Sequence, residues 1–264
     1  MSDASLPTYD ADQLAGLLAA LPGVDGVELK LTVPRADQRT VVRSLGIDSI
    51  DARIRQVAFI DTLDLRASAA GVVVRARRTQ RKAGDVTVKL RPMLPGDVPA
   101  GLREVPGFKI EIDASPVGYT CSCSLTAEVS DKKVKELLIG TRELADLLTD
   151  TQRGLLNERL PEDVSISDLR VLGPVHLLKA KFSPEGFARP MVAEVWLLPG
   201  GGQILELSTK VPPHEAFYAA AETKVFLADH GVDLGAPQEL KTKSALAALA
   251  EMDAPPSKEE EPVP

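Results

Sequence analysis

The chain is poor in the residues that most often carry chemistry by themselves. Its 264 residues hold two cysteines, three histidines and one tryptophan. Cys121 and Cys123 stand two apart in the run CSC, so a strand points them the same way and they make a poor disulfide. With no second cysteine pair a cysteine-based zinc site is excluded, and both read as reduced structural thiols. His176, His214 and His230 are scattered and share no metal-ligand spacing. Positive charge is not in excess either. The formal net charge of −7 argues against non-specific binding to a nucleic acid duplex or an anionic membrane, while leaving room for a local basic cavity whose field low-dielectric walls would focus. No apolar run reaches membrane-spanning length, and the acidic, polar amino terminus lacks a secretory pattern, so a cytoplasmic location is expected.

What is abundant is alternation. VELKLTV, residues 27 to 33, puts Leu29, Leu31 and Val33 on one strand face and Glu28, Lys30 and Thr32 on the other. One such strand reads as an ordinary antiparallel strand with a wet face. The pattern recurs, however, with charges of both signs. Arg75 and Arg77 share a face in VVVRAR; Thr87, Lys89 and Arg91 in DVTVKLR; Lys109, Glu111 and Asp113 in KIEID; Lys179 and Lys181 in LLKAKF; Glu206, Ser208 and Lys210 in ILELSTK. Such a sheet either exposes a very large solvated surface or curls until the charged faces line a common interior. With 44% hydrophobic residues, one large α+β domain or two small ones can be buried.

In chain order, Asp10 and Gln13 form a capping-box pattern before a helix striped by Leu14, Leu17, Leu18 and Leu21, and Pro22-Gly23 ends it. Residues 36–45 read as a helix. Residues 55–78 read as two strands joined by a turn in which Asp61 and Asp64 bond their own backbone. Gly84-Asp85 reads as a hairpin break. Residues 92–107, with four prolines and three glycines, read as a loop. Residues 117–129 fit either a strand extension or a loop. Two helices within 131–160, broken at Gly140 with Thr141 as a cap, read as an insertion between strands. Strands over 175–182, 191–198 and 203–211 follow, the last two joined by a turn at Gly200 to Gly202. A helix over 213–229 carries Phe217, Ala221 and Val225 along one side. The tail from Ala254, rich in Pro and Glu, is expected to be disordered. The domain reading is residues 1–23 as lead and helix, 24–250 as the body, and 251–264 as tail.

The order GVELKLTV, FIDTLDL, AAGVVVRARR, TVKLRP, KIEID, ILELSTK resembles the CYTH superfamily, the triphosphate tunnel metalloenzymes, over roughly residues 24–245. The resemblance implies an eight-stranded antiparallel β-barrel, open as a tunnel, with helices outside. It also implies a triphosphate or inorganic polyphosphate ligand, Mg2+ or Mn2+ as cofactor, and pairing of barrels into a homodimer. Glu28 and Lys30 match the second acid and the lysine of the family's ExExK signature, and Arg75 and Arg77 its paired basic strand. Lys89 matches the lysine after it, Glu111 and Asp113 an ExE-like strand, and Glu206 the first acid of a late ExE pair. Gly26 and Ser208 stand where further acids, both metal ligands, would be.

The charges suit that ligand. Guanidinium forks and ammonium groups neutralise phosphate oxygens, and Lys30, Arg75, Arg77, Lys89, Arg91, Lys179, Lys181 and Lys210 are the candidates. Magnesium and manganese take oxygen ligands, for which Glu28, Glu111, Asp113, Glu194 and Glu206 are available. Glu28, Lys30 and Glu111 are the candidate catalytic groups for metal-dependent in-line hydrolysis. Binding without turnover is the alternative that the two missing acids favour, and adenylyl cyclase activity is a third. Trp196 reads as packing or as a stacking surface for the ligand's organic part.

Overall fold

The curled option is the one the chain adopts. The computed structural model describes residues 9–239 and 241–253. Nine strands, β1 (Gly26–Val33), β2 (Arg53–Asp61), β3 (Val72–Thr79), β4 (Gly84–Leu90), β5 (Phe108–Ser115), β6 (Gly118–Val129), β7 (Arg170–Phe182), β8 (Met191–Leu197) and β9 (Gln203–Val211), close in the order β1-β5-β6-β4-β3-β2-β7-β8-β9. The helices are α1 (Ala11–Ala20), α2 (Gln38–Ser44), α3 (Arg66–Ala69), α4 (Asp131–Leu138), α5 (Asp150–Arg159), α6 (Ala216–Asp229) and α7 (Lys241–Asp253).

Two details correct the expected eight-stranded antiparallel barrel. The ninth strand is β6, from the segment that fitted strand or loop; it pairs with β4 and with β5. Its inward positions, Ser122 and Ser124 among them, are small hydroxyl residues instead of charges, while Cys121, Cys123 and Leu125 are buried in the core between barrel and helices. This is why the charge alternation that marks the other strands fails to mark it. The second correction is that β1 and β5 pair in parallel, which sets Glu28 beside Asp113.

Most apolar strand faces point outward and are covered by helices, while Val57, Phe59, Val73, Leu177 and Trp196 face the interior. One core joins the outer faces of β3, β4, β5 and β6 to α1, α4 and α5 through Leu17, Val86, Ile110, Leu125, Val134 and Leu156. A second joins Leu31, Leu205 and Leu207 to Phe226 and Leu227 of α6. Gln152, fully buried, donates to the carbonyls of Val86 and Leu125 and so fastens α5 to the wall. Gly84 opens β4 itself, so the hairpin break lies at the residues before it. A side chain there would meet Val134 and the Arg77 carbonyl at under 3 Å, so α4 can pack this closely only over a glycine.

Helix boundaries and faces differ from the sequence reading in three places. A 3-10 turn spans only Leu144–Asp146, Leu147 and Leu148 follow it outside any helix, and the second inserted helix starts at Asp150 with a capping box from Thr149 and Gln152. Thr141 therefore caps nothing N-terminal; its hydroxyl donates to the Glu136 carbonyl. On α6 the side carrying Phe217 and Val225 is exposed, and Ala216, Ala219, Thr223, Phe226 and Leu227 are buried, because small residues let the helix approach the barrel. On α1, Leu14 and Leu18 are likewise exposed while Leu17 and Ala20 are buried. Asp61 behaves as expected of a turn residue: it accepts from the amides of Thr62, Ala67 and Ser68 and so starts α3. The expected disordered tail from Ala254 lies outside the described residues. No described helix is long and apolar enough to cross a membrane.

Candidate functional site

Closing the sheet gathers the polar faces around a cavity of about 1100 Å3. Among its lining residues are Glu28 and Lys30 from β1, Arg75 and Arg77 from β3, Lys89 from β4 with Arg91 just beyond it, Glu111 and Asp113 from β5, Lys179 from β7, Glu194 from β8 and Glu206 from β9. Two sequence candidates stand apart. Lys181 is exposed and outside the cavity. Lys210 is half-exposed at the rim, paired with Glu111. Three lining cations were missed by the sequence reading: Arg55 of β2, Lys241 of α7 and, exposed on the same helix, Lys243. Arg55 shares its strand face with the apolar Val57 and Phe59, all three turned to the cavity, so charge alternation gives no signal for it; Lys241 heads a helix, where alternation gives none either.

The charges form three groups. At the first, Lys30 Nζ lies 2.8 Å from Asp113 Oδ1 and 3.2 Å from Glu28 Oε2, and Lys89 Nζ lies 3.0 Å from Asp113 Oδ2. Burial works against the Lys30 ammonium, but Asp113, Glu28 and Glu206 outweigh it and raise its pKa. Lys89 fares worse: burial lowers its pKa, and sharing Asp113 with Lys30 does not make up the loss. At the second, Glu194 accepts from Lys179 at 2.8 Å and from Lys241 at 2.6 Å, and Lys241 also reaches Glu206 at 2.6 Å. Burial opposes the Glu194 carboxylate, yet Lys241 and Lys179 hold it well below the usual range. Trp196 closes this group from the side, its Nε1 donating to Glu194 at 3.2 Å and its ring stacked on Phe59.

The third group is short of counter-charge. Arg77 is clamped by Asp85, 2.8 and 3.2 Å from its Nε. Arg75 has no carboxylate within ion-pair distance among the described residues, and its buried Nε has no hydrogen-bond partner. The Nε of Arg55 is also buried without a partner, while its Nη1 makes only a long ion pair, 3.9 Å from Glu194 Oε1. Burial and the neighbouring Arg77 push the Arg75 guanidinium down to about 10. Burial lowers Arg91 too.

A divalent ion held by the protein alone does not fit this donor set. The five candidate carboxylates are each engaged by a lysine, and among the described residues no three Asp, Glu, His or Cys side chains converge to hold a metal. Gly26 and Ser208 supply no further acid.

The paired carboxylates make an acid-unfolding prediction. Asp113, Glu28 and Glu194 all have folded-state pKa values below their unfolded ones. Their stabilisation is therefore fully present above about pH 4 and lost as pH falls through the lower folded values. Urea midpoints measured from pH 7 to pH 2 are expected to be flat down to about pH 5 and then to drop steeply. A midpoint that holds to pH 2 would show these pairs are not formed in solution.

No family model matches the sequence, and no curated protein does. Solved structures do match the fold. A candidate adenylate cyclase from Bacillus halodurans superposes with a TM-score of 0.58 at 15% identity, over 83% of this chain and 96% of its own. A candidate adenylyl cyclase from Hippeastrum with a dominant triphosphatase activity superposes at 0.59 and 14% identity, over 88% of this chain and 99% of its own. The chain therefore has the closed-barrel fold of these proteins along nearly their whole length.

Proposed function

We propose that this chain is a member of the CYTH superfamily and that its tunnel binds a triphosphate-bearing anion. The order of its motifs and the shared barrel support the assignment. The observation that carries the ligand is the pair of guanidinium groups, Arg75 and Arg55, that face the cavity with buried, unpartnered Nε atoms. A buried cation without a partner costs stability, and an extended polyanion removes that cost at several points at once. Lys89 of β4, which shares Asp113 with Lys30, and Arg91 just beyond the strand extend the row.

Hydrolysis of the bound triphosphate is a second reading, favoured by the triphosphatase activity in the description of the Hippeastrum neighbour. Mg2+ or Mn2+ would then enter on the substrate's own oxygens, with Glu28 and Glu111 nearest in kind to the family's acids. The chain's residues would bind and orient the phosphates and, through Trp196 and the apolar wall of Val57, Phe59 and Leu177, exclude water from one side.

The test measures phosphate release and cyclic nucleotide formation from tripolyphosphate, thiamine triphosphate and ATP, with Mg2+, Mn2+ or chelator, and follows binding by calorimetry. All three ligands are expected to bind the parent, and Arg75→Ala to weaken each. Metal-dependent release lost in Glu111→Gln would establish hydrolysis. Binding without release under every metal would make the tunnel a binding module. Absence of binding would contradict the reading.

A further inference from the structure

Most of the cavity's cations stand on barrel strands, but Lys241 is brought in by α7. Glu194 of β8 and Glu206 of β9 are directly paired neighbours whose side chains point into the cavity. Two carboxylates so placed in a low-dielectric wall repel unless a cation lies between them. Lys241 Nζ takes that place, 2.6 Å from Glu194 Oε2, 2.6 Å from Glu206 Oε1 and 5.4 Å from the centre of the Trp196 ring. Ser208, two residues after Glu206, offers a hydroxyl where a third carboxylate would favour a divalent ion.

The ammonium is held there by structure on both sides. Before it, the Thr32 amide donates to Gln238 Oε1 at 2.8 Å and the Thr32 hydroxyl to the Glu239 carbonyl at 3.1 Å, which fixes the approach to α7 on β1. After it, Ala245, Leu246 and Leu249 are buried against Leu172, Leu177 and Trp196. A divalent ion would have to displace an ammonium that two carboxylates hold and whose backbone is anchored on both sides.

We infer that Lys241 is the resident counter-cation of the Glu194–Glu206 pair, a charge built into α7 that keeps Mg2+ and Mn2+ off these carboxylates. Removing the ammonium leaves Glu206 without its lysine and Glu194 with Lys179 on its other oxygen only, so Glu206 and Glu194 Oε2 face an open space between them, an arrangement that an oxygen-seeking divalent ion takes. The proposal goes beyond triphosphate binding and does not depend on it.

The experiment titrates Mn2+ alone, read by the loss of the free-ion electron paramagnetic resonance signal, into the parent, Lys241→Arg and Lys241→Gln, with circular dichroism to check the fold. The parent and Lys241→Arg are expected to show no Mn2+ site that depends on Glu194. Lys241→Gln is expected to bind Mn2+ at least roughly tenfold more tightly, and to lose the gain when Glu194→Gln is added. A folded Lys241→Gln protein with no gain would overturn the inference. So would a parent Mn2+ site abolished by Glu194→Gln. Should Lys241→Gln fail to fold, the parent and Glu194→Gln titrations decide alone: equal, negligible binding supports the inference and a difference refutes it. Tripolyphosphate is absent throughout, so failure here leaves the triphosphate reading untouched.

Discussion

Replacing Arg75 with methionine is expected to stabilise the ligand-free protein and to remove most of its affinity for tripolyphosphate. The residue is half-buried with its Nε fully so, has no carboxylate partner among the described residues, and is flanked by Phe59 on β2 and Thr87 on β4. Its pKa, pushed down to about 10 by burial and by Arg77, signs the effect. A cationic group with a lowered folded pKa destabilises at every pH below that value, and the cost is relieved only as pH climbs through about 10. At pH 7 it is present in full, on the order of 2 kcal/mol after allowance for water in the cavity. Methionine fills similar space without charge, so Tm should rise by about 4 to 8 °C. Loss of charge-assisted contacts should weaken tripolyphosphate by roughly 100-fold. Differential scanning calorimetry and titration calorimetry on one preparation read both. Weakened binding with a lowered Tm would show that Arg75 is a structural residue.

Asp113→Asn should do the reverse. Asp113 accepts from Lys30 on one oxygen and from Lys89 on the other, and its carboxylate is held below the usual range by both. The amide leaves two ammonium groups facing each other without their shared counter-charge, a loss of about 3 kcal/mol. A polyanion can supply the missing charge, so tripolyphosphate is expected to raise the urea midpoint of Asp113→Asn more than that of the parent. Equal increments in the two proteins would place the bound phosphates away from Lys30 and Lys89.

These two residues also mark how much could be read from the sequence. Both lie on strands whose charges alternate with apolar residues, and the alternation alone, repeated on β1, β3, β4, β5 and β9, raised the prospect of a curled sheet with a charged interior. What it could not convey is closure. The parallel contact of β1 with β5 depends on positions far apart in the chain, and β6 carries hydroxyls inward, which give no charge signal. Lys181 and Lys210 were drawn in by the same alternation and sit at or beyond the ends of the cavity, because the period of two fixes a side and not a height. On α1 and α6 large apolar residues stand on both sides, so size alone does not mark the inward face, which combines Leu17 with Ala20 on α1 and Ala216, Ala219 and Thr223 with Phe226 and Leu227 on α6. Lys241 could not be placed by any periodic argument, since what brings it to Glu194 and Glu206 is the docking of α7 through Leu246 and Leu249.

The measurement that tests the tunnel most directly is a calorimetric series of orthophosphate, pyrophosphate and tripolyphosphate into the parent protein, at low and high salt and in chelator. Affinity is expected to rise with each phosphoryl group, to fall as salt screens the charges, and to vanish in Arg55→Met combined with Arg75→Met. Affinity independent of chain length, or a doubly substituted protein that binds tripolyphosphate as the parent does, would contradict a tunnel built to hold a triphosphate.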